Sequence, residues 1–329
     1  MPISAGQNRR AGGPIIAVLH AADRPPALAD HTDGTELRFA TADTLAGALP
    51  GAEALFVWDF TSDAVRTAWA AADTLRWVHT ASAGVDRLVF PGLVDSDVVL
   101  TNSRGVFDTP MAEYVAGLVL ALAKDLPRTL AQQARREWRH RETEQLAGAR
   151  AVVVGGGPIG RAIASMLTAI GLRVELVSRR ADPPVHGIDK LAGLLPDADY
   201  LVLAAPLTEQ TRGLLDAAAL RLLPRNARVI NVGRGALVVE PDLVDALAEG
   251  RIAGAALDVF ETEPLPSDSP LWTMPRVIVS PHMSGDTVGW QHNLVALFAD
   301  NLARYRSGRP LRNVVDKTRG YVTTSGANP

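Results

Sequence analysis

"AVVVGGGPIGRAIASMLTAIGLRVELVSRR", Ala151 to Arg180, decides the fold. Ala151–Val154 is too short for a helix and apolar without alternation, which is how a strand buried on both faces reads. Gly155, Gly157 and Gly160 follow with the spacing G-x-G-x-x-G. Beyond them Ile159, Ile163, Met166, Leu167 and Ile170 recur at helical spacing, and Gly171 stands where such a helix stops. In a chain with 28 glycines the spacing alone is a weak signal, and the strand–turn–helix–strand setting carries it. The first glycine permits the tight turn, the second lets a pyrophosphate approach the backbone, and the third lets helix and strand pack closely. The helix start, with Pro158 at its first position, offers phosphate the free N–H groups of the residues that follow, Ile159 first, and the positive end of its dipole. The stretch thus predicts a dinucleotide site at Gly155, Gly157, Pro158, Ile159 and Gly160.

Such a unit usually carries, about 20 residues on, an acid that bonds the ribose hydroxyls. Here stand Ser178, Arg179 and Arg180. A carboxylate would repel a 2′-phosphate, whereas guanidinium forks hold one. The preferred cofactor is therefore read as NADP(H), with NAD(H) as the alternative.

The same strand pattern extends in both directions. Further short apolar runs are Ile15–Leu19, Glu36–Phe39, Ala54–Val57, Arg76–His79, Val98–Thr101, Arg173–Val177, Tyr200–Ala204, Arg228–Val232, Ala253–Leu257 and Arg276–Val279. Alternation with helical segments implies parallel sheets covered on both faces. Eleven strands exceed one compact sheet of this kind, so an α/β chain of two doubly wound parallel-sheet domains is expected. Two long helices join them: one with Thr109 as N-cap, Pro110 at its first position and continuing to Arg128, the other from about Thr287 to Arg306. Residues 1–104 with 288–329 are expected to form one domain, flavodoxin-like, and residues 105–287 the Rossmann domain.

Composition narrows the partners. The 329 residues are 47% hydrophobic and 21% charged, with a net charge of −3 and both signs interspersed. A nucleic-acid surface needs a basic stripe, which is missing. Without cysteine there is neither disulfide nor thiolate metal site, and no metal site is read. No apolar run is long enough to span a bilayer, so a cytoplasmic protein is expected.

Other residues with chemistry stand at predicted strand ends. They are Arg234 in "RVINVGRGALV", Asp258 and Glu263 in "GAALDVFETEPLP", and His282 in "RVIVSPHMSGD". Parallel strands bring their carboxyl ends to one edge, the edge that also holds the glycine loop. A cation, an acid and an imidazole there suit hydride transfer to a carbonyl.

With "ASAGVD" at Ala81–Asp86, these motifs resemble the D-isomer-specific 2-hydroxyacid dehydrogenases along nearly the whole chain, in particular the NADPH-preferring glyoxylate and hydroxypyruvate reductases. The resemblance implies reduction of a small 2-keto acid to the D-2-hydroxy acid, with Arg234, Glu263 and His282 as catalytic residues and His282 as general acid. It implies cofactor contacts at Pro206, Thr211, Val232, Gly233 and Asp258, the last on the nicotinamide carboxamide. It also implies substrate contacts through the amides near Ala83 and Gly84. Trp58, after the third strand, is a further candidate for the substrate pocket. A homodimer is expected, because the helix "MAEYVAGLVLALAKDL" is apolar around much of its circumference and the resemblance places it in a two-fold interface. Trp138, in a charged connection, is a candidate to reach a partner subunit. Phosphoglycerate or phosphite oxidation, or a nucleotide-sensing corepressor-like role, stays open at this level.

Overall fold

The computed structural model describes residues 13–179 and 181–323, so Arg180, one of the two cations read beside Ser178, lies outside the described residues. Among these the strands form two sheets. One has the order β2-β1-β3-β4-β5, from Ile15–Leu19 (β1), Glu36–Ala40 (β2), Ala54–Val57 (β3), Trp77–Thr80 (β4) and Val99–Thr101 (β5). The other has the order β12-β11-β10-β9-β6-β7-β8. Its strands are Arg150–Val154 (β6), Arg173–Ser178 (β7), His186–Gly187 (β8), Tyr200–Leu203 (β9), Arg228–Asn231 (β10), Gly254–Leu257 (β11) and Val277–Val279 (β12). Every pairing within the sheets is parallel. The chain is thus α/β with two parallel sheets. Strand β8 was not expected: two residues leave no periodicity to read.

The chain divides into two compact units. One runs to Val106 and resumes at Thr287; the other is Phe107–Asp286. In the second unit, alternate residues of the central strands enter different cores. Val152, Val154, Leu201, Leu203 and Val229 share one core, and Ala151, Val153, Val202 and Ile230 the other. This double burial is why the runs read as continuously apolar. In the first unit Ala17, Leu19, Leu55, Val57 and Val78 fill one core. On the opposite face Phe56 and Trp77 stack on Phe298 of the helix Trp290–Arg306, at 4.2 and 5.2 Å between ring centres.

Both expected long helices are corrected. The first is Asp108–Ala123, preceded by Phe107, and it has no side-chain cap, so Thr109 lies inside it. The first amides of a helix lack partners within it, so a proline fits anywhere in the first turn and does not mark the start. The helix also stops at Ala123 rather than Arg128. Pro127 has no N–H to give the Ala123 carbonyl, Asp125 turns left-handed at φ 48°, and a new helix runs Leu126–Ala134. The other long helix starts at Trp290, after Gly289 at φ 85°.

Each sheet reverses strand order once. The reversal lies at β1, between β2 and β3, and at β6, between β7 and β9. Ligands of open parallel sheets bind outside the strand carboxyl ends at such points. The glycine loop follows β6 directly.

Candidate active site

The glycine loop has the shape its residues require. Gly155 has φ 138°, and a Cβ there would lie 2.5 Å from the Ala204 carbonyl oxygen. A Cβ on Gly160 would collide with the Gly155 carbonyl. A Cβ on Gly157 would meet nothing within 4 Å, so open space lies at the N-terminus of the helix Pro158–Ala169. That opening beside free helix amides fits a diphosphate. Gly156, outside the recognised spacing, is equally constrained: its Cβ would lie 2.5 Å from Ser178 Cβ, so the loop rests on the end of β7. Ser178 is half-buried and Arg179 exposed. On the same edge, after β9, Thr211 Oγ1 donates to the Pro206 carbonyl at 2.8 Å, closing that turn.

Arg234 follows β10 on a loop held by groups that the sequence did not single out. Asn231 Nδ2 donates to the Arg234 carbonyl at 2.9 Å, and Asn231 Oδ1 accepts from the Gly233 amide at 3.1 Å. Val232 is buried, and a Cβ on Gly233 would lie 2.9 Å from the Ala205 carbonyl oxygen. A Cβ on Gly235 would collide with the Phe260 carbonyl. Gly235 therefore lets the Arg234 loop press on the segment carrying Glu263, while Gly233 lets it press on the end of β9. The Phe260 amide donates to Glu263 Oε1 at 3.0 Å.

Glu263 Oε2 lies 2.8 Å from His282 Nδ1. An ionised carboxylate only accepts, so Nδ1 carries the hydrogen and Nε2 is the ring nitrogen left to face a ligand. Burial pushes the Glu263 carboxyl up. The hydrogen bonds from His282 and the Phe260 amide, with the charges of His282 and Arg234, outweigh it and hold the group below its ordinary value. Arg234 and His282 thus both act electrostatically on Glu263, although they lie 48 positions apart in the chain.

His282 has the left-handed φ of 51°, unfavourable for a side chain with a Cβ. Asp258 enforces it. Its carboxylate is fully buried, and Oδ1 accepts from Ser280 Oγ at 2.6 Å and the Met283 amide at 3.0 Å. Oδ2 accepts from the Ser284 amide at 2.9 Å, and the Asp258 carbonyl accepts from the His282 amide at 2.8 Å. Asp258 therefore clamps the turn that presents the imidazole, a role that the sequence reading did not include. The signal was available in "SPHMS", which places a hydroxyl and two loop amides around the histidine.

The first unit carries the remaining candidates at its own strand ends. After β4, Ser82 Oγ donates to the Gly84 carbonyl at 2.6 Å and Asn102 Nδ2 to the Ala83 carbonyl at 2.6 Å. Both carbonyls are thereby turned inward, and among the described residues no acceptor meets the amides of Ala83 or Gly84. Trp58, after β3, is buried edge-on to Phe56 and stacks on Trp290 at 6.4 Å and 8°.

A glycine loop at a strand-order reversal, with a cation and an Asp-clamped His–Glu pair on the same edge, belongs to nicotinamide-dependent hydride chemistry. The family "D-isomer specific 2-hydroxyacid dehydrogenase, NAD binding domain" matches residues 116–284, and the chain belongs to that family. It is an NAD(P)-dependent 2-hydroxyacid dehydrogenase, an oxidoreductase. It is 32% identical over 262 residues to glyoxylate/hydroxypyruvate reductase A of Serratia proteamaculans, covering 75% of this chain and 82% of that one. A D-isomer specific 2-hydroxyacid dehydrogenase of Xanthobacter autotrophicus, solved with NADPH and MES, is 35% identical with a TM-score of 0.81, covering 94% of this chain and 100% of that one. An NADPH-dependent glyoxylate/hydroxypyruvate reductase of Sinorhizobium meliloti, solved with NADP and sulfate, is 32% identical with a TM-score of 0.81, covering 94% and 99%.

Proposed function

We propose that the chain reduces a small 2-keto acid of the glyoxylate or hydroxypyruvate type to the D-2-hydroxy acid, using NADPH in preference to NADH. The observation that carries this reading is the His282–Glu263 pair at 2.8 Å, on the strand edge that also bears Arg234 and the glycine loop. The Serratia and Sinorhizobium relatives named above support the substrate class, and the solved complexes with NADPH and NADP support the cofactor.

In this reading Arg234 binds the substrate carboxylate and polarises the ketone oxygen. His282 donates a proton from Nε2 to that oxygen as it becomes a hydroxyl. Glu263 keeps Nδ1 protonated and the ring in its orientation, and the Asp258 clamp holds the backbone behind it. The amides of Ala83 and Gly84 receive carboxylate oxygen, and Trp58 bounds the substrate side chain. Gly155, Gly157, Pro158, Ile159 and Gly160 hold the cofactor diphosphate, with Ser178 and Arg179 at the adenosine end. Pro206, Thr211, Val232 and Gly233 complete the cofactor site; Asp258, expected on the carboxamide, is fully buried with both carboxylate oxygens taken by Ser280, Met283 and Ser284, so it supports the site from behind. The bound reduced nicotinamide supplies the hydride; the protein supplies orientation and charge. We assign the chain to the cytoplasm and to a homodimer.

The test is a panel of 2-keto acids assayed with NADPH and with NADH at fixed salt, with the configuration of the product determined. Glyoxylate and hydroxypyruvate should give the highest kcat/KM, with NADPH, and hydroxypyruvate should yield the D product. Absence of turnover of every small 2-keto acid with both cofactors would overturn the reading.

A further inference from the structure

Arg161 is the residue after the third glycine of the loop and lies in the first turn of the helix Pro158–Ala169. A cation is disfavoured there, because the helix N-terminus already carries the positive end of the dipole. No acidic residue in that turn balances it. Arg161 is exposed, and its Nε donates to the Gly156 carbonyl oxygen at 3.0 Å. That bond draws the side chain back over the glycine loop instead of into solvent. The residue whose carbonyl it engages, Gly156, is also the one packed against Ser178, so the guanidinium is tied to the loop residue that meets the end of β7. With Nε engaged, the Nη groups form a fork suited to a tetrahedral oxyanion. The chain Arg161–Gly156–Ser178–Arg179 therefore places cations on two separate elements around one strand end.

We propose that Arg161 is a specificity-determining ligand of the cofactor's 2′-phosphate, reaching it from the helix while Ser178 and Arg179 reach it from β7. The proposal rests on the NADP reading above. It accounts for a cation at a helix N-terminus that the ordinary chemistry of helix ends disfavours. It also gives the Gly156 contact a purpose, since any side chain at that position would separate the two elements.

The test uses fragments that differ only in the group at issue. Binding of 2′,5′-ADP and of 5′-AMP is measured by titration calorimetry on the whole protein and on Arg161→Gln and Arg161→Lys, at fixed salt. Arg161→Gln should weaken 2′,5′-ADP by about 10- to 100-fold, the range of a lost charge-assisted hydrogen bond, and leave 5′-AMP unchanged. Arg161→Lys should fall between, because it keeps the charge and loses the fork. The ratio of kcat/KM for NADPH over NADH should fall by the same factor. Equal weakening of both fragments would mean that Arg161 only braces the loop, and unchanged binding of 2′,5′-ADP would mean that it is solvated; either overturns the proposal. Wild-type protein binding 2′,5′-ADP no more tightly than 5′-AMP would overturn the NADP reading itself, and the Arg161 assignment with it.

Discussion

His282 occupies a backbone conformation that its own side chain disfavours, and the four hydrogen bonds that its turn gives to Asp258 hold it there. With Nδ1 held by Glu263, only Nε2 is left to exchange a proton with a ligand. His282→Ala should therefore lower kcat by at least about 100-fold, the range for a lost general acid, with cofactor affinity unchanged. Steady-state kinetics beside a cofactor titration check this, and near-normal kcat/KM would refute it. The Glu263 carboxyl lies below its ordinary value of 4.5, so its pairing is intact above that pH and is lost only as pH falls through the lowered value. At the adenosine end of the proposed cofactor site, Ser178→Asp with Arg179→Ala should reverse cofactor choice. Asp bonds free ribose hydroxyls and repels phosphate, and one or two lost charge-assisted bonds correspond to about 10- to 1,000-fold in apparent NADPH affinity. The comparison is kcat/KM for both cofactors in wild type and double variant.

At the scale of the element, β4 carries the most unusual chemistry of the first unit. His79 is fully buried against Phe56, Trp77 and Phe298, and burial pushes its imidazole down to about 3. Its Nδ1 lies 2.8 Å from Thr101 Oγ1, which also accepts from Trp77 Nε1 at 2.8 Å. One residue on, the Thr80 carbonyl accepts from Ser103 Oγ at 2.9 Å, and Ser103 in turn donates its amide to the Ser82 carbonyl at the start of the Ala83–Gly84 loop. A neutral histidine in β4 thus sits beneath the loop. The folded value lies below the unfolded value of 6.5, so the unfolded chain takes the proton first. The contribution to stability is complete above about pH 6.5 and is lost progressively as pH falls towards 3. At 1.36 kcal/mol per unit, the cost by about pH 4 reaches about 3 kcal/mol. Urea midpoints measured from about pH 7 to about pH 4 should fall in wild type and fall less steeply in His79→Gln. Parallel slopes would show that other groups govern acid stability.

For the whole molecule, the proposed homodimer needs an apolar surface left open to a second copy. The helix Asp108–Ala123 buries Val115, Val119 and Leu122 within its own unit. Its exposed apolar residues Leu120 and, just beyond it, Leu126 are followed along the chain by Leu130 at 63% exposure and Trp138 at 99%. A run of large apolar side chains in water is the mark of an interface. Sedimentation at micromolar concentration should find a dimer, and Leu130→Glu with Trp138→Ala should shift it to monomer without loss of helical signal. A wild-type monomer under those conditions would refute the assignment to a homodimer.

What the sequence by itself determined was local chemistry repeated along the chain. Uninterrupted apolar runs report strands buried on both faces, glycine spacing reports a turn that a diphosphate can approach, and parallel order alone carries Arg234, Glu263 and His282 to one edge. What only the tertiary structure decided were contacts between residues distant in the chain. The Asp258 carboxylate closes on a turn more than 20 residues away, Gly235 presses on the Phe260 carbonyl, and Gly156 rests on Ser178. Pro127 breaks the first long helix after Ala123, and Thr109 lies inside it although its residue type permits a cap. Periodicity and spacing record what each segment demands of its own backbone. The partners that hold a catalytic side chain in place belong to other segments, and packing chooses among many equally compatible ones.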